Sequence, residues 1–475
     1  MVGPSAKFIS PPSAHTHLAH KDRNMLHSLL RKRVRLGAPF PAFRRFCCRS
    51  LKTAVLSFGD GSHGALGLPA SSFGGEDAYE PTRITSLPPD ISGIGAGHYH
   101  SLAVTADGEL WAWGRNEEGQ LGRGPSSSVP RDSWNQPKKV EGLNQVRVRA
   151  AFASGVISAA LGDDGSLWVW GKSKRGQLGL GKGVTEVMVP SRVEALAGEE
   201  IVKMGFILSK QVSFGWGHAL AQTSNGKLFG WGYSAEGRLG QIGQALETSA
   251  SSAYLSKAAA DSGSALEVAE KLVLEEMGKE NNMPVIWEPC LVHELDGIEV
   301  ADVACGLDHS LALCCDGTLL SCGSNTYGQL GRTTEGSKML PVDMSFQPLS
   351  ISSGLGHSLA VCRIPSQEVA GEAAGVVSWG WNWNSQLGRR GPETFPAMVE
   401  GLDGERPVYA SGGRVHSIAL TSQGELRVWG CGKNGRLGLG SSADEAEPTL
   451  VESLDGLEIL QAVSGFDHNL VLVAD

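Results

Sequence analysis

The sequence lacks the features that identify membrane proteins, metal proteins and the large enzyme classes. No apolar run approaches the roughly 18 residues that a membrane-spanning helix needs, so no membrane span is expected. Its nine cysteines include no CxxC pair, which indicates neither a zinc site nor a disulfide framework. There is no nucleophile elbow, Walker motif, HExxH motif or paired-carboxylate signature. The sequence therefore predicts a protein that is not an enzyme and that has no catalytic residue, cofactor or metal.

Acidic residues are almost absent from the first 52 of the 475 residues. This segment has eleven Lys or Arg against the single acid Asp22, whereas the remainder has a net charge of −19. Between Met25 and Lys52, apolar residues are interspersed with arginines and few Ser or Thr occur, as in a mitochondrial transit peptide. Residues 1–52 are therefore predicted to be a transit peptide or disordered basic leader that directs the protein to the mitochondrial matrix. The alternative interpretation is that Arg31-Lys32-Arg33 is a nuclear localisation signal, which would direct the protein to the nucleus.

Glycine is abundant, at 63 of 475 residues, and part of it recurs in one short turn. The turn appears seven times, at spacings of 50 to 61 residues with one longer spacing of 91. The copies are Gly64–Gly67, Gly119–Gly122, Gly176–Gly179, Gly237–Gly240, Gly328–Gly331, Ser385–Gly388 and Gly435–Gly438. Periods of this size predict a propeller or a solenoid.

Each unit also has a half that contains a histidine, best seen in Gly97 to Val104. Asp107-Gly108 and Leu110 to Gly114 follow, and the alternating apolar residues on both sides of Asp-Gly predict a β-hairpin. A proline a few residues before another short strand completes a unit of about four antiparallel strands. These prolines are Pro81, Pro137, Pro190, Pro289, Pro341, Pro396 and Pro448.

The two ends of the chain each supply half a unit. Ala54 to Gly67 has the glycine turn without a histidine half, and Ser464 to Asp475 has a histidine half without the turn. Together they complete a seventh blade. The sequence therefore predicts an all-β, seven-bladed β-propeller over residues 53–475, closed by pairing of the N- and C-terminal strands.

One connection between repeats is enlarged and forms an insertion over residues 241–284. Within it, Ser264-Ala265-Leu266-Glu267 is a capping box, and apolar residues follow at helical spacing up to Gly278. The pattern predicts a short amphipathic helix in a surface loop. The loop is either a docking arm for a partner protein or a decoration that packs on the blades.

The order Gly-x-x-His-Ser-Leu-Ala, Asp-Gly, Trp-Gly and Gly-Gln-Leu-Gly resembles the repeat of the regulator-of-chromosome-condensation family, over roughly residues 53–475. Members of that family are seven-bladed β-propellers, and the chain resembles its plant mitochondrial members. Such members are linked to splicing of organellar introns and hence to respiratory complex I. The resemblance implies the same fold and a role in binding other proteins.

The repeat histidine is expected to be structural. One residue type recurs once per blade, and Ile157 replaces it once, whereas a catalytic site needs different residues in different roles at one point. The structural histidines are His100, His218, His309, His357, His416 and His468.

The two residues before each repeat histidine are the candidate partner-binding positions, because the resemblance implies that they lie at the mouth of the central funnel. The candidates are His98, Tyr99, Trp216, Asp308, Arg414, Phe466 and Asp467. Guanine-nucleotide exchange factors of the family use polar side chains here, a role that Asp308, Asp467 and Tyr99 match by position. Ordinary loop residues are the alternative. The UV-B photoreceptor of the family has a Gly-Trp-Arg-His-Thr version, whereas this chain has only Trp216, which disfavours light sensing.

The function predicted from these features is a mitochondrial protein-interaction scaffold for organellar RNA processing, namely intron splicing of mitochondrial transcripts, and thereby for complex I biogenesis. The expected partners are RNA-processing factors. A body of net charge −19 repels phosphate backbones, so RNA contact is expected to be indirect and no DNA binding is expected. The alternatives are exchange activity on a small GTPase and, less favoured, UV-B reception or chromatin binding.

Overall fold

The computed structural model describes residues 52–69, 76–124, 130–201, 211–242, 284–334, 336–364 and 373–475. Within these ranges the chain forms 28 β-strands in seven antiparallel four-stranded sheets, which confirms the predicted seven-bladed β-propeller. The basic leader, apart from Lys52, and the predicted helix of the insertion lie outside the described residues. No helix within the described ranges is long and apolar enough to cross a membrane.

The strands are grouped below by blade. Blade 1 contains β1 (Thr53–Gly59), β2 (Ala78–Arg83), β27 (Ile459–Ser464) and β28 (His468–Ala474). Blade 2 contains β3 (Ile91–Ala96), β4 (His100–Thr105), β5 (Leu110–Gly114) and β6 (Lys138–Lys139). Blade 3 contains β7 (Val148–Ala153), β8 (Ile157–Gly162), β9 (Leu167–Lys172) and β10 (Glu186–Arg192). Blade 4 contains β11 (Val212–Phe214), β12 (His218–Gln222), β13 (Leu228–Tyr233) and β14 (Val285–Leu291).

The remaining three blades follow the same order. Blade 5 contains β15 (Val300–Cys305), β16 (His309–Cys314), β17 (Leu319–Gly323) and β18 (Gly336–Pro341). Blade 6 contains β19 (Gln347–Ser353), β20 (His357–Ile364), β21 (Ala373–Gly380) and β22 (Ala397–Met398). Blade 7 contains β23 (Pro407–Gly412), β24 (His416–Thr421), β25 (Leu426–Gly430) and β26 (Glu445–Leu450). Short 3-10 turns lie at Arg131–Ser133, Glu194–Leu196, Ala235–Gly237, His293–Leu295, Lys433–Gly435 and Glu452–Leu454.

The first strand of each repeat is the innermost strand of its blade. Innermost strands of neighbouring blades contact one another around the ring, from β27 and β3 through β7, β11, β15 and β19 to β23, and enclose a central funnel. The loop after each innermost strand carries the two residues before the repeat histidine. These loops and the seven glycine turns therefore lie on one face of the propeller, which we call the upper face.

The ring is closed within blade 1, as the sequence predicts. Strand β28 lies between β27 and β1, and it pairs with β1 from Thr53 opposite Ala474 to Gly59 opposite His468. The N-terminal strand is thus hydrogen-bonded to the C-terminal strand over its whole length. A sheet of the ring exists only when both ends of the propeller chain are present.

The expected position of the repeat prolines is wrong for five of the seven. Pro81, Pro190, Pro289, Pro341 and Pro448 lie within the outermost strand instead of before it. Only Pro137 and Pro396 directly precede their strands. An outermost strand has one edge without a neighbouring strand, so a residue without a backbone N–H fits there. Correspondingly, the pairing register of β10 with β9 shifts between Val187 and Ser191, around Pro190.

The hydrophobic core lies between successive blades. Trp113, Trp170, Trp231, Trp379 and Trp429 are fully buried, and each indole donates a hydrogen bond to a carbonyl in the glycine turn of the preceding blade. The last glycine of the turn is required by this contact. Gly122 has a φ of +63°, and a Cβ there would lie 2.9 Å from Nε1 of Trp170. The glycine turns therefore hold the blades together.

Candidate functional site at the funnel mouth

Seven short loops on the upper face meet around the mouth of the funnel. Their backbones are linked from blade to blade: Trp216 N–H donates to Gly306, Leu307 to Leu355, and Leu355 to Gly413. The links continue from Arg414 to Phe466, from Phe466 to Gly97 and from His98 to Ser154, with N···O distances from 2.9 to 3.3 Å over the six. The candidate side chains are thus mounted on loops that are hydrogen-bonded to one another at six of the seven blade junctions, and not on independent loops.

The six repeat histidines are buried, and each forms a hydrogen bond with the next blade. The partner is the residue that follows the histidine position of that blade, a serine in five cases and Asn469 in the sixth. The bonds join Nε2 of the histidine to a side-chain oxygen: His100 to Ser158 (2.7 Å), His218 to Ser310 (2.8 Å), His309 to Ser358 (3.0 Å), His357 to Ser417 (2.9 Å), His416 to Asn469 (3.0 Å) and His468 to Ser101 (2.9 Å).

The proton positions in these bonds follow from the serine. Ser158 donates its hydroxyl proton to the carbonyl of Gln120, 2.8 Å away, so its oxygen accepts from His100. The other serines donate to the matching turn carbonyls. The histidine rings bonded to these serines are therefore protonated on Nε2, and His416 likewise donates to Oδ1 of Asn469. Burial lowers the pKa to about 3 for His100, His309, His357 and His416, to about 4 for His468, and well below its usual value for His218.

The junction of blades 3 and 4 departs from this scheme at three positions together. Ile157 replaces the histidine, and Ala219 stands in the next blade where other blades have the accepting serine or asparagine. Ser154 replaces the glycine three residues before the histidine. That glycine is needed where a histidine is present, because a Cβ at Gly97 would lie 2.7 Å from Cε1 of His100. The hydrogen-bond donor, its acceptor and the glycine are all replaced at this junction, and an apolar contact takes the place of the hydrogen bond.

We expect the same coupling at the junction of blades 2 and 3. His100→Ile or Ser158→Ala alone leaves a buried polar group without its partner and lowers the free energy of unfolding by about 1–3 kcal/mol. The double variant removes both groups, as the chain itself does at Ile157 and Ala219, and is expected to lose less than the sum. Urea unfolding of the four proteins measures the coupling. His100→Ile combined with Ser417→Ala is the control, because Ser417 is bonded to a different histidine, and the losses in free energy of unfolding should add in this variant. Additive losses for His100→Ile and Ser158→Ala would contradict the expected coupling.

Four aromatic rings from three blades form a cluster over the funnel mouth. His98 stacks on Phe466 with ring centroids 4.5 Å apart and lies 5.0 Å from Trp216, while Tyr99 lies 5.7 Å from Phe466. Burial among these rings lowers the pKa of His98. Trp216 is 37% exposed. We call His98, Tyr99, Trp216 and Phe466 the funnel cluster.

A charged group borders the cluster. Asp467 accepts from Arg414 through both carboxylate oxygens, at 3.0 and 2.9 Å, and its Oδ1 lies 3.0 Å from Arg436. Arg414 also lies over the Phe466 ring, 4.9 Å from its centroid. A cavity of about 210 Å³ opens beside these residues, and its lining also includes Asp60 and His63. The side chain of Asp467 is only 11% exposed, so what faces a partner here is the guanidinium of Arg414 and the rings.

Asp308 lies apart from this group, in blade 5. It is bonded to the buried Arg238 at 2.7 Å, and the guanidinium of Arg238 lies 4.7 Å from the centre of the Tyr233 ring. A third of the Asp308 side chain is exposed. The structure therefore brings six of the seven predicted candidates together, from blades 1, 2, 4 and 7, and leaves Asp308 at a second position on the rim.

Two partners of the candidate aspartates were not anticipated from the sequence, Arg238 and Arg436. Each occupies the second position of a glycine turn, where Gln120, Gln177, Gln329 and Gln386 stand in other blades. The next blade in each case has Asp as the residue before its histidine. That paired departure from the repeat is visible in the sequence and was the available signal.

The arrangement suits binding more than bond-breaking chemistry. The repeat histidines are occupied by contacts between blades, and the candidate aspartates are occupied by arginines. Within the described ranges, no group of three or more His, Cys, Asp or Glu is placed to hold a metal ion. What remains for a partner on the upper face is a set of aromatic rings and guanidinium groups, residue types that carry much of the energy of protein interfaces.

Fold and site together define a seven-bladed propeller with a cluster of aromatic rings and an adjoining Arg414 at its funnel mouth. The model of the RCC1-like domain matches residues 54–471, and the chain belongs to that family. It is 28% identical to the Ultraviolet-B receptor UVR8 of Arabidopsis thaliana, over 84% of this chain and 78% of the receptor. It is 31% identical to the secretion-regulating guanine nucleotide exchange factor of Mus musculus, over 67% of this chain but 63% of that protein.

The fold is also that of a solved structure. Prp20p from Saccharomyces cerevisiae, described with its binding properties to Gsp1p and histones, superposes with a TM-score of 0.67 at 20% identity, over 90% of this chain and 92% of Prp20p. The prediction of the family from the repeat pattern is thereby confirmed. Family membership supports a regulatory or protein-binding role.

Proposed function

We propose that this protein is a non-enzymatic scaffold of the mitochondrial matrix that supports organellar RNA processing, specifically intron splicing, and through it the biogenesis of respiratory complex I. The observation that carries the binding role is the funnel cluster with Arg414 beside it. Rings from three blades converge there on loops that are hydrogen-bonded to one another at six of the seven blade junctions, which suits docking of a partner with little cost of ordering. The proposed location in the mitochondrial matrix rests on the basic composition of residues 1–52.

The partner in this proposal is a protein and not the RNA. Residues 53–475 have a net charge of −19, which opposes the approach of a polyphosphate chain. Of the arginines near the cluster, Arg414 and Arg436 are paired with Asp467, and Arg115 is paired with Glu117 and Glu118, while Arg175 lies over the Tyr233 ring. An RNA-processing factor that docks on the rings would contact the transcript itself.

We predict that Tyr99→Ala combined with Phe466→Ala abolishes function without unfolding the propeller, because both side chains are only partly buried at the mouth. In cells that lack the protein, the full chain should restore the ratio of spliced to unspliced mitochondrial transcripts and the level of assembled complex I. The double variant should restore neither. Trp383→Ala is the matched control, since Trp383 is 85% exposed and lies outside the cluster.

An import assay with residues 1–52 fused to a reporter tests the mitochondrial location separately from the function. Protease-protected reporter in isolated mitochondria is the expected result. Accumulation of the reporter in the nucleus would support the alternative of a nuclear or chromatin role. Normal splicing in cells that lack the protein would contradict the function proposed, whatever its address.

Exchange activity on a small GTPase is the second candidate, favoured by the relative named as an exchange factor and by Asp308, which is partly exposed on the rim. Nucleotide release from purified GTPases in the presence of the chain measures it. Asp308→Asn is the variant to use, because it keeps a hydrogen-bond acceptor for Arg238. Replacement of Asp467 would leave two guanidinium groups without their carboxylate and confuse loss of folding with loss of activity. Release that is lost in Asp308→Asn would favour the exchange factor.

A further inference from the structure

The upper face holds a second cleft, at the junction of blades 3 and 4 where the repeat scheme is broken. It has a volume of about 200 Å³ and lies between Gly155 and Val156 of blade 3 and Trp216 of blade 4. Residues 172–175, namely Lys172, Ser173, Lys174 and Arg175, from the end of β9 and the loop that follows, complete its lining. We call it the Trp216 cleft.

The apolar part of the cleft is formed by Val156 and Trp216. Gly155 lies against His98, because a Cβ there would meet Nδ1 of His98 at 2.8 Å, and this glycine therefore lets the funnel cluster pack against the cleft. Trp216 packs toward His98, with ring centroids 5.0 Å apart, and still exposes 37% of its surface. An exposed tryptophan beside an open apolar recess is the kind of anchor point that protein partners fill.

The rim of the cleft is positively charged. Lys172 and Lys174 are exposed, and each already has a contact within the chain, which for Lys172 is the carboxylate of Glu186 at 3.0 Å. Arg175 lies over Gly217, where a Cβ would come within 2.7 Å of its Cδ, and its guanidinium is 5.5 Å from the centre of the Tyr233 ring. The glycine and the tyrosine thus hold Arg175 at the cleft.

From this geometry we propose that the Trp216 cleft binds an acidic peptide segment of a partner protein. An apolar side chain of the peptide enters between Val156 and Trp216, and flanking carboxylates pair with Lys172, Lys174 and Arg175. Three bases within four residues lie at this edge of a propeller of net charge −19, and the peptide carboxylates compete there with the contacts that the two lysines already have. The proposal goes beyond the scaffold role, because it needs neither the compartment nor RNA.

A short peptide fits these observations better than RNA. The bases are few, and the surrounding acidic body penalises a long polyanion more than a short segment. The recess beside Trp216 is apolar, which favours a side chain over a phosphate. Binding is expected to weaken moderately with salt, in contrast to the steep dependence of a contact with many phosphates.

The test is affinity selection of a displayed library of random twelve-residue peptides on the purified full chain. We expect enrichment of peptides in which an apolar residue is flanked by Asp or Glu, and a loss of affinity of about tenfold or more in Lys172→Glu combined with Lys174→Glu. Lys138→Glu combined with Lys139→Glu is the matched control. These lysines are also exposed, and Lys139 likewise pairs with a glutamate, at 2.8 Å. Trp216→Ala should weaken binding, and Trp383→Ala should not.

Each other outcome contradicts the proposal. Selection of peptides without acidic residues, no selection at all, or equal loss in both double variants would show that the cleft is not an acidic-peptide site. Enrichment only after deletion of residues 243–283 would mean that this acidic segment of the chain occupies the cleft instead. Binding of a uridine oligonucleotide with the same Lys172 and Lys174 dependence, without peptide binding, would make RNA the ligand. The selection uses purified protein, so its failure leaves the mitochondrial proposal untouched.

Discussion

Deletion of residues 466–475 is expected to abolish cooperative folding of the propeller. The deletion removes β28, which lies between β27 and β1, so the N-terminal strand loses its partner along its whole length. Leu470, Val471, Leu472 and Val473 are all buried. At about 1.5–3 kcal/mol for each buried aliphatic side chain, their loss is comparable with the total stability of a typical domain, about 5–15 kcal/mol.

Calorimetry or circular dichroism during heating measures this effect. The truncated chain should show no sharp transition. A deletion of Asp475 alone is the control, because it removes only the exposed ion pair with Arg83 and one backbone hydrogen bond to Lys52, leaves β28 in place and should preserve the sharp transition. A truncated chain that melts like the parent would mean that blade 1 is dispensable for the ring.

The closure of the ring could be predicted because each end of the chain carries half of a repeat, and the two halves complete one blade. The same repeat pattern located the strands, since the alternation around Asp107-Gly108 and Trp113 recurs in most blades. The pattern did not predict correctly where most of the prolines lie relative to the outermost strands. The outermost strand has a weak pattern, with exposed residues and a shifted pairing register, so its start could not be read from a period of two.

The candidate site was predictable in membership but not in chemistry. The position of Asp467 and Phe466 before the repeat histidine marked them as residues of the mouth. That Asp467 would be held by Arg436 depends on a contact between blade 1 and blade 7, which no spacing within one repeat reveals. The Trp216 cleft likewise combines loops of two blades. Sequence periodicity describes one blade at a time, whereas the surfaces of a propeller form at the junctions.

A second large effect is expected from pH, through the six buried repeat histidines. Their pKa values in the folded chain are lowered, to about 3 in His100 and about 4 in His468, whereas an unfolded histidine titrates near 6.5. Below about pH 6.5 the unfolded chain binds more protons than the folded chain, so the free energy of unfolding falls as the pH falls. The loss continues until the folded histidines themselves titrate.

The size of the pH effect on the free energy of unfolding follows from the number of buried histidines. Between pH 7.5 and 5.5 each contributes a loss of roughly 1 to 2 kcal/mol, and the six repeat histidines together with His98, whose pKa burial lowers in the same way, reach on the order of 10 kcal/mol, enough to unfold a typical domain near the lower value. Carboxylates with lowered pKa values, such as Asp60 and Asp164, act only at more acidic pH. Urea unfolding at several pH values measures the slope. The His100→Ile and Ser158→Ala double variant has one of these seven histidines fewer and should lose about one seventh of the slope. A flat profile over this range would show that the histidines are charged in the folded chain.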